Sequence, residues 1–228
     1  MLAILNSGLA AEGGVVSKRL RIVAAATLCV LVAAAVLVTL VVETEVADER
    51  EIVGGAGPAR AVVLYHPSRD AHFSDDLSQT IAATLAAAGY SVERATLTHA
   101  TPASWPGVTL LVVVSNTYWW TPDVPTLRYL ARARLRGIAA VGIIGGAGST
   151  DRSRRMLETA LHRTGAKVLG AQAYWLLRPN DESRFEEPNR AVALQMARDW
   201  VLRTAPAALR VAPGQDPESV GITSSPRS

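Results

Sequence analysis

The sequence predicts an α/β fold: a doubly wound five-stranded parallel sheet in the order 2-1-3-4-5, preceded by one transmembrane helix. Two observations predict the sheet. Apolar runs of five to seven residues recur between about residues 60 and 205, as expected of strands buried on both faces. Amphipathic stretches at helical spacing fall between these runs, and such alternation is the pattern of a parallel sheet covered by helices. A third observation predicts the membrane helix. The 21 residues from Ile22 to Val42 carry no charge, Gly or Pro. At about 1.5 Å per residue they span roughly 30 Å, the thickness of a bilayer's hydrocarbon core.

The flanks of this span define the outer parts of the chain. Residues 1–21 form a short N-terminal segment ending in Lys18, Arg19 and Arg21. Beyond the span come Glu43, Glu45, Asp48, Glu49 and Glu51 against Arg50. Three basic residues before the span and one after it place the N-terminus in the cytoplasm and residues 43–228 outside. A cleaved signal peptide is the rival reading, but its apolar region is about 7–15 residues and ends at a small-residue cleavage site. The longer run and its acidic exit favour a retained single-pass anchor. Residues 43–59, acidic and then Gly-rich over 54–58, read as a polar, flexible stalk. Residues 206–228 are rich in Pro, Ser and Gly without periodicity and read as a disordered tail. The folded body is therefore 60–205.

Within the body, Ala61–Tyr65 is the first strand, ended by His66-Pro67. Asp75–Ala88 is a helix with Leu77, Ile81 and Leu85 on one face, Ser74 as its cap and Gly89 as its stop. Tyr90–Leu97 alternates like a strand at or near an edge. Thr109–Val114 is apolar throughout and belongs at the centre. Val124–Arg136 is helical, Ile138–Ile144 is the fourth strand, and Asp151–Thr164 is the next helix. Lys167–Leu177 is the fifth strand, at the other edge, and Glu186–Arg203 closes the body as a helix. In a sheet of this order a ligand lies beyond the carboxyl ends of the first, third and fourth strands. The loops there are 66–74, 115–122 and 145–150.

Composition excludes several functions. A single cysteine, Cys29, rules out a disulfide framework and a Cys-based metal site. The four histidines, His66, His72, His99 and His162, show no ligand spacing with Asp or Glu, so no metal is expected. No nucleophile elbow is present, and no residue stands out as catalytic. A net charge of +3 gives no reason to expect nucleic acid. Residues 58–206 hold 17 basic and 12 acidic residues. This excess is either a solvated Arg-rich face or a docking surface for anionic headgroups or an acidic partner.

Loop 115–122 reads Ser-Asn-Thr-Tyr-Trp-Trp-Thr-Pro and leads through Asp123-Val-Pro125 into a helix. With the element order over 60–205, this loop resembles the second flavin loop of the flavodoxin family. The resemblance implies noncovalent FMN, with its ring between this loop and the one after the fourth strand. Tyr118, Trp119 and Trp120 offer flat faces for the ring. The backbone of Ser115, Asn116, Thr117 and Tyr118, together with loop glycines Gly145, Gly146 and Gly148, would bond its polar edge. The phosphate would fall to loop 66–74, with Ser68 and Ser74 as donors and Arg69 as the nearest charge. That loop lacks the family's Thr-Gly-Asn-Thr type of motif, and Asp75 and Asp76 disfavour an anion beside them. Two functions therefore stand side by side. One is a membrane-anchored electron-transfer protein, a carrier or quinone-type reductase, with an unidentified redox partner protein or quinone. The other is a cofactor-free flavodoxin-like binding or assembly module tethered to the bilayer.

Overall fold

A computed structural model describes residues 5–42, 44, 46–55, 57–68 and 72–209. The chain divides into two compact units, Met1–Thr44 and Glu45–Ser228. The first is a single helix, α1 (Leu5–Val42), whose segment Lys18–Leu40 is long and apolar enough to cross a membrane. It begins well ahead of the apolar run, so the expected N-terminal segment is largely helical.

The second unit is built on a seven-stranded sheet rather than the expected five. Its elements are β1 (Arg50–Gly54), β2 (Arg60–Tyr65), α2 (Phe73–Ala87), β3 (Ser91–Thr96), β4 (Val108–Tyr118), β5 (Thr121–Pro122), α3 (Val124–Arg132), β6 (Ala139–Gly146), α4 (Asp151–Arg163), β7 (Lys167–Trp175) and α5 (Asn189–Leu209). The order is β1-β3-β2-β4-β6-β7, with β5 paired to β4 alone. The five parallel strands β3-β2-β4-β6-β7 run in the predicted sequence. The two additions, β1 and β5, are both antiparallel to their neighbours.

Strand periodicity builds two cores. Alternate residues of β2 point to opposite faces. Ala61, Val63 and Tyr65 pack with Leu77, Ile81 and Leu85 of α2 and with Ala193, Ala197 and Val201 of α5. Val62 and Leu64 pack with Leu130 of α3 and Leu157 and Leu161 of α4. Each such Leu contributes about 1.5–3 kcal/mol by burial.

The expected stalk is corrected by β1. Residues 50–54 pair with β3, Arg50 opposite Ala95 and Glu51 opposite Arg94. Arg50 faces Glu93 at 3.6 Å and Glu51 faces Arg94 at 3.5 Å. Charged side chains on an outer strand are the usual protection of a sheet edge. The acidic composition is therefore that of an edge strand. The glycines that follow serve close approach. A Cβ on Gly55 would lie 1.7 Å from the Tyr90 carbonyl oxygen, and one on Gly57 1.6 Å from that of Gly89.

Smaller boundaries also move. α2 starts at Phe73 with His72 at its N-cap, so Ser74 sits inside the first turn rather than capping it. α3 stops at Arg132 because Ala133 is extended and Arg134 N–H bonds the Ala103 carbonyl at 2.7 Å. Arg132, part of the supposed basic face, donates to the carbonyls of Thr98, His99 and Thr101. α5 continues to Leu209, into the predicted tail, and residues 210–228 lie outside those described.

The second core contains a titratable group with a readable consequence. Tyr129 is buried and its hydroxyl accepts the Trp105 indole N–H at 2.9 Å. Burial pushes its pKa up to about 12. The neutral phenol is thus favoured in the fold, while the unfolded chain loses the proton near 10. Its contribution is complete below pH 10 and declines as pH rises toward 12, by up to about 1.4 kcal/mol per pH unit. Urea unfolding midpoints of the full chain in detergent micelles should fall across this window. In Tyr129→Phe the fall should be shallower.

Candidate functional site

β2 and β4 are adjacent at the centre of the sheet. α2 leaves one toward one face, and α3 leaves the other toward the opposite face. The crevice beyond their carboxyl ends is the switch point where ligands bind in such sheets.

Its floor is a buried polar cluster centred on Asp123. This carboxylate is fully buried and caps α3. Oδ1 accepts the Thr126 amide at 2.9 Å. Oδ2 accepts the Asn116 amide at 2.7 Å, the Ser115 hydroxyl at 3.1 Å and the Asn116 side-chain amide at 3.3 Å. His66 Nδ1 lies 3.8 Å from the same oxygen. The Asn116 side chain also donates to the His66 carbonyl at 2.8 Å, as does the Ser74 hydroxyl. Three segments are tied together: the end of β2, the end of β4 and the start of α2.

Above this floor β4 turns back on itself. Tyr118 pairs with Thr121 and Thr117 with Pro122, leaving Trp119 and Trp120 as a two-residue turn. Their φ angles are 51° and 60°. Positive φ at both central residues is the type I′ pattern that Asn-Gly normally fills. Trp119 and Trp120 are 58% and 57% exposed, so two indoles stand out from the edge on strained backbone.

Facing the turn is the loop after β6. A slot of about 180 Å3 opens between Thr117, Trp119 and Trp120 on one side and Ala147, Gly148 and Ser149 on the other. The Thr117 hydroxyl oxygen is buried there and has no hydrogen-bond partner among the described residues. Gly146 is needed beneath the slot. A Cβ on it would meet Thr150 Cγ2 at 2.7 Å and Thr117 Cβ at 3.2 Å. Trp175, at the end of β7, braces the loop through its indole N–H to the Thr150 hydroxyl at 2.7 Å, and Arg178 lies over its ring at 4.7 Å.

The phosphate side is more closed. Ser74 Oγ is held by the His66 carbonyl, and the Ser74 amide donates to Ser68 Oγ at 3.4 Å. Phe73 is buried and would touch a Cβ on Gly145 at 3.3 Å. The two acids of the first turn are both paired. Asp76 binds Arg190 of α5. Asp75 lies 3.7 Å from Arg94, and burial pushes its carboxyl up against the pull of that guanidinium. The two acids expected to disfavour an anion thus each have an arginine beside them. A larger groove, about 660 Å3 between α2 and α5, lies on the helical surface away from the strand ends. It offers no convergent set of polar groups.

No family model matches the chain, and no curated protein is similar to it. Solved structures are similar. Rubredoxin oxygen:oxidoreductase from Desulfovibrio gigas superposes with a TM-score of 0.53 at 12% identity, over 68% of this chain and 37% of that one. A short-chain flavodoxin associated with a non-canonical PDU bacterial microcompartment gives 0.51 at 14%, over 66% of this chain and 99% of that one. Oxidised flavodoxin 2 from Bacillus cereus gives 0.51 at 14%, over 65% and 99%. The fold is flavodoxin-like. The chain spans just over a third of the D. gigas oxidoreductase and almost all of the two flavodoxins.

Within this flavodoxin-like fold most of the predicted site residues fall into two groups. Thr117, Trp119, Trp120 and Gly148 line the slot. Ser68, Asn116, Tyr118, Gly145 and Gly146, with Thr117, surround a constriction of about 10 Å3 beneath it. The side chains of Ser115, Asn116 and Ser74 are committed to the buried cluster; of the backbone amides expected at 115–118, that of Asn116 is taken by Asp123. Arg69 lies outside the described residues. Asp123, His66 and Trp175 were missed by sequence reasoning. An Asp followed two residues later by Pro and then Thr is a helix N-cap signal that identifies the first of them.

Proposed function

We propose that this protein is a membrane-anchored flavodoxin-like electron-transfer protein that binds FMN noncovalently at the carboxyl edge of its sheet. The observation that supports it best is the slot between the paired indoles and residues 147–149. The slot is lined by two indoles on one side and by the small residues Ala147, Gly148 and Ser149 on the other, and the Thr117 hydroxyl beside it has no partner among the described residues. These residues suit an isoalloxazine ring. Trp119 and Trp120 would hold it by stacking, and Thr117 with the 147–149 backbone would orient its polar edge. FMN, when bound, supplies one- and two-electron chemistry. The chain's own part is to orient the ring and exclude water from one face. The helix Lys18–Leu40 would keep the domain at the bilayer, facing outward by the flanking charges, and the acceptor would be a partner protein or a quinone.

Titration of the full chain in detergent micelles with FMN tests the reading. Saturable quenching of flavin fluorescence is expected. Absence of binding overturns it in favour of a cofactor-free tethered module, which the commitment of Ser68, Ser74 and Asn116 to internal bonds favours. The same commitment makes a second prediction. Among the described residues, the Ser74 hydroxyl is spent on the His66 carbonyl, and the phosphate side offers mainly the α2 helix dipole, about 0.3–1 kcal/mol for a solvated anion. FMN should therefore bind no more than about fivefold tighter than riboflavin. Parallel calorimetry with the two ligands measures the ratio, and a hundredfold preference would show a phosphate pocket.

A further inference from the structure

The chain enters its folded body at the ligand edge. β1 is antiparallel to β3, so it starts where the parallel strands end. The residues leading into it are fixed there. The Thr96 hydroxyl donates to the Ala47 carbonyl at 2.7 Å, and the Thr96 amide donates to the Glu49 carbonyl at 3.0 Å. Thr96 is the last residue of β3. Only five positions separate Val42, the end of α1 and of the apolar run, from Ala47. Fully stretched, at up to about 3.6 Å per residue, they reach roughly 18 Å.

The same edge holds most of the body's exposed large apolar side chains. Trp119 and Trp120 are joined by Leu177 at 83% and Phe185 at 71% exposure. Leu177 adjoins the slot, its amide donating to the Ala147 carbonyl at 3.0 Å. Phe185 lies in the segment that leaves the end of β7. Indoles are amphipathic and concentrate at the headgroup level of bilayers. Charge selects among lipids. Around Leu177 and Phe185 stand Asp181, Glu182, Glu186 and Glu187 against Arg178, Arg184 and Arg190, and Asp48 and Glu49 at the chain's entry leave the edge with an acidic excess. An anionic surface would repel this edge, whereas a zwitterionic one would not.

We infer that the carboxyl edge is a membrane-docking surface: Trp119, Trp120, Leu177 and Phe185 rest in the zwitterionic headgroup layer of the bilayer that holds the anchor. The inference rests on reading Lys18–Leu40 as that anchor. It turns the slot toward partners dissolved in the membrane and away from those in bulk water.

The full chain is reconstituted in phosphatidylcholine vesicles containing lipids brominated near the glycerol end of their acyl chains. Flotation and tryptophan emission are read on the same samples. The chain should float, and bromolipid should quench its emission. In Trp119→Phe/Trp120→Phe that quenching should fall by at least about half, because Trp105 and Trp200 lie away from this edge and Trp175, the one indole left at it, is partly buried and donates to Thr150. A chain that does not float overturns the anchor and the docking together. A floating chain whose quenching is unchanged in the double variant overturns the docking alone. A second measurement leaves the turn intact. A fluorophore is placed on Leu177→Cys or on Arg136→Cys at the opposite edge, each in a Cys29→Ser background. Lipid-borne nitroxide should quench the first and spare the second. Equal quenching at the two positions overturns the inference.

Discussion

Replacing Asp123 by Ala is expected to cost about 3–5 kcal/mol of folding stability, from two buried amides left without an acceptor and a lost helix cap. The carboxylate is fully buried and receives four hydrogen bonds, from the Thr126 and Asn116 amides, the Ser115 hydroxyl and the Asn116 side chain. Alanine strands the Thr126 and Asn116 amides, leaves the Ser115 hydroxyl and the Asn116 side chain with only their carbonyl acceptors, and removes the α3 cap, itself worth about 0.5–2 kcal/mol. Asn in the same place keeps one acceptor oxygen but sets an N–H2 against donors, so about 2 kcal/mol is expected. Denaturant titration of each variant in detergent micelles, followed by tryptophan emission, gives both values. A loss under 1 kcal/mol for Asp123→Ala would mean the cluster relaxes or hydrates. Because Asn116 and Ser115 precede the aromatic turn, both variants should also weaken flavin binding, more in Ala than in Asn.

The cluster also shows why the fold was more legible than the site. β2, β4 and β6 are apolar runs of a length and spacing that few other structures accommodate. Once they are strands, short connections and right-handed crossovers leave one dominant order. The polar residues gave no such constraint. Ser115 and Asn116 at the end of a central strand read equally well as ligand donors and as internal ties. The internal ties become visible only with the placement of Asp123 beneath them. β1 was hidden for a different reason. Its sequence, Arg-Glu-Ile-Val-Gly, is short with two charges in five residues, and Ile52 is 73% exposed, so the edge strand has the composition of a linker. The antiparallel turn of β4 into β5 was hidden most fully. Its two central residues are indoles at positive φ, where local preference asks for Asn and Gly.

That conflict yields the other large expected effect, one with opposite signs for stability and binding. In Trp119→Asn/Trp120→Gly the turn receives the residues its backbone geometry prefers. A left-handed conformation costs a side-chain-bearing residue about 1–2 kcal/mol, and Asn and Gly escape most of it. The added glycine freedom in the unfolded chain returns about 0.4–1 kcal/mol. Little packing is lost, because both indoles are more than half exposed. The net expectation is a gain of about 1 kcal/mol in denaturant titration. FMN affinity should move the other way. Two stacking faces, with the apolar area they cover, account for about 3 kcal/mol, so affinity should drop by roughly a hundredfold. The two readings are taken on one preparation. A stability gain with unchanged affinity would remove the indoles from the ring site and leave them to the membrane. A stability loss would mean that contacts made by the indoles outweigh the strain. If the expected pair of effects is found, the strained turn is retained for what the two indoles hold, at the expense of the fold.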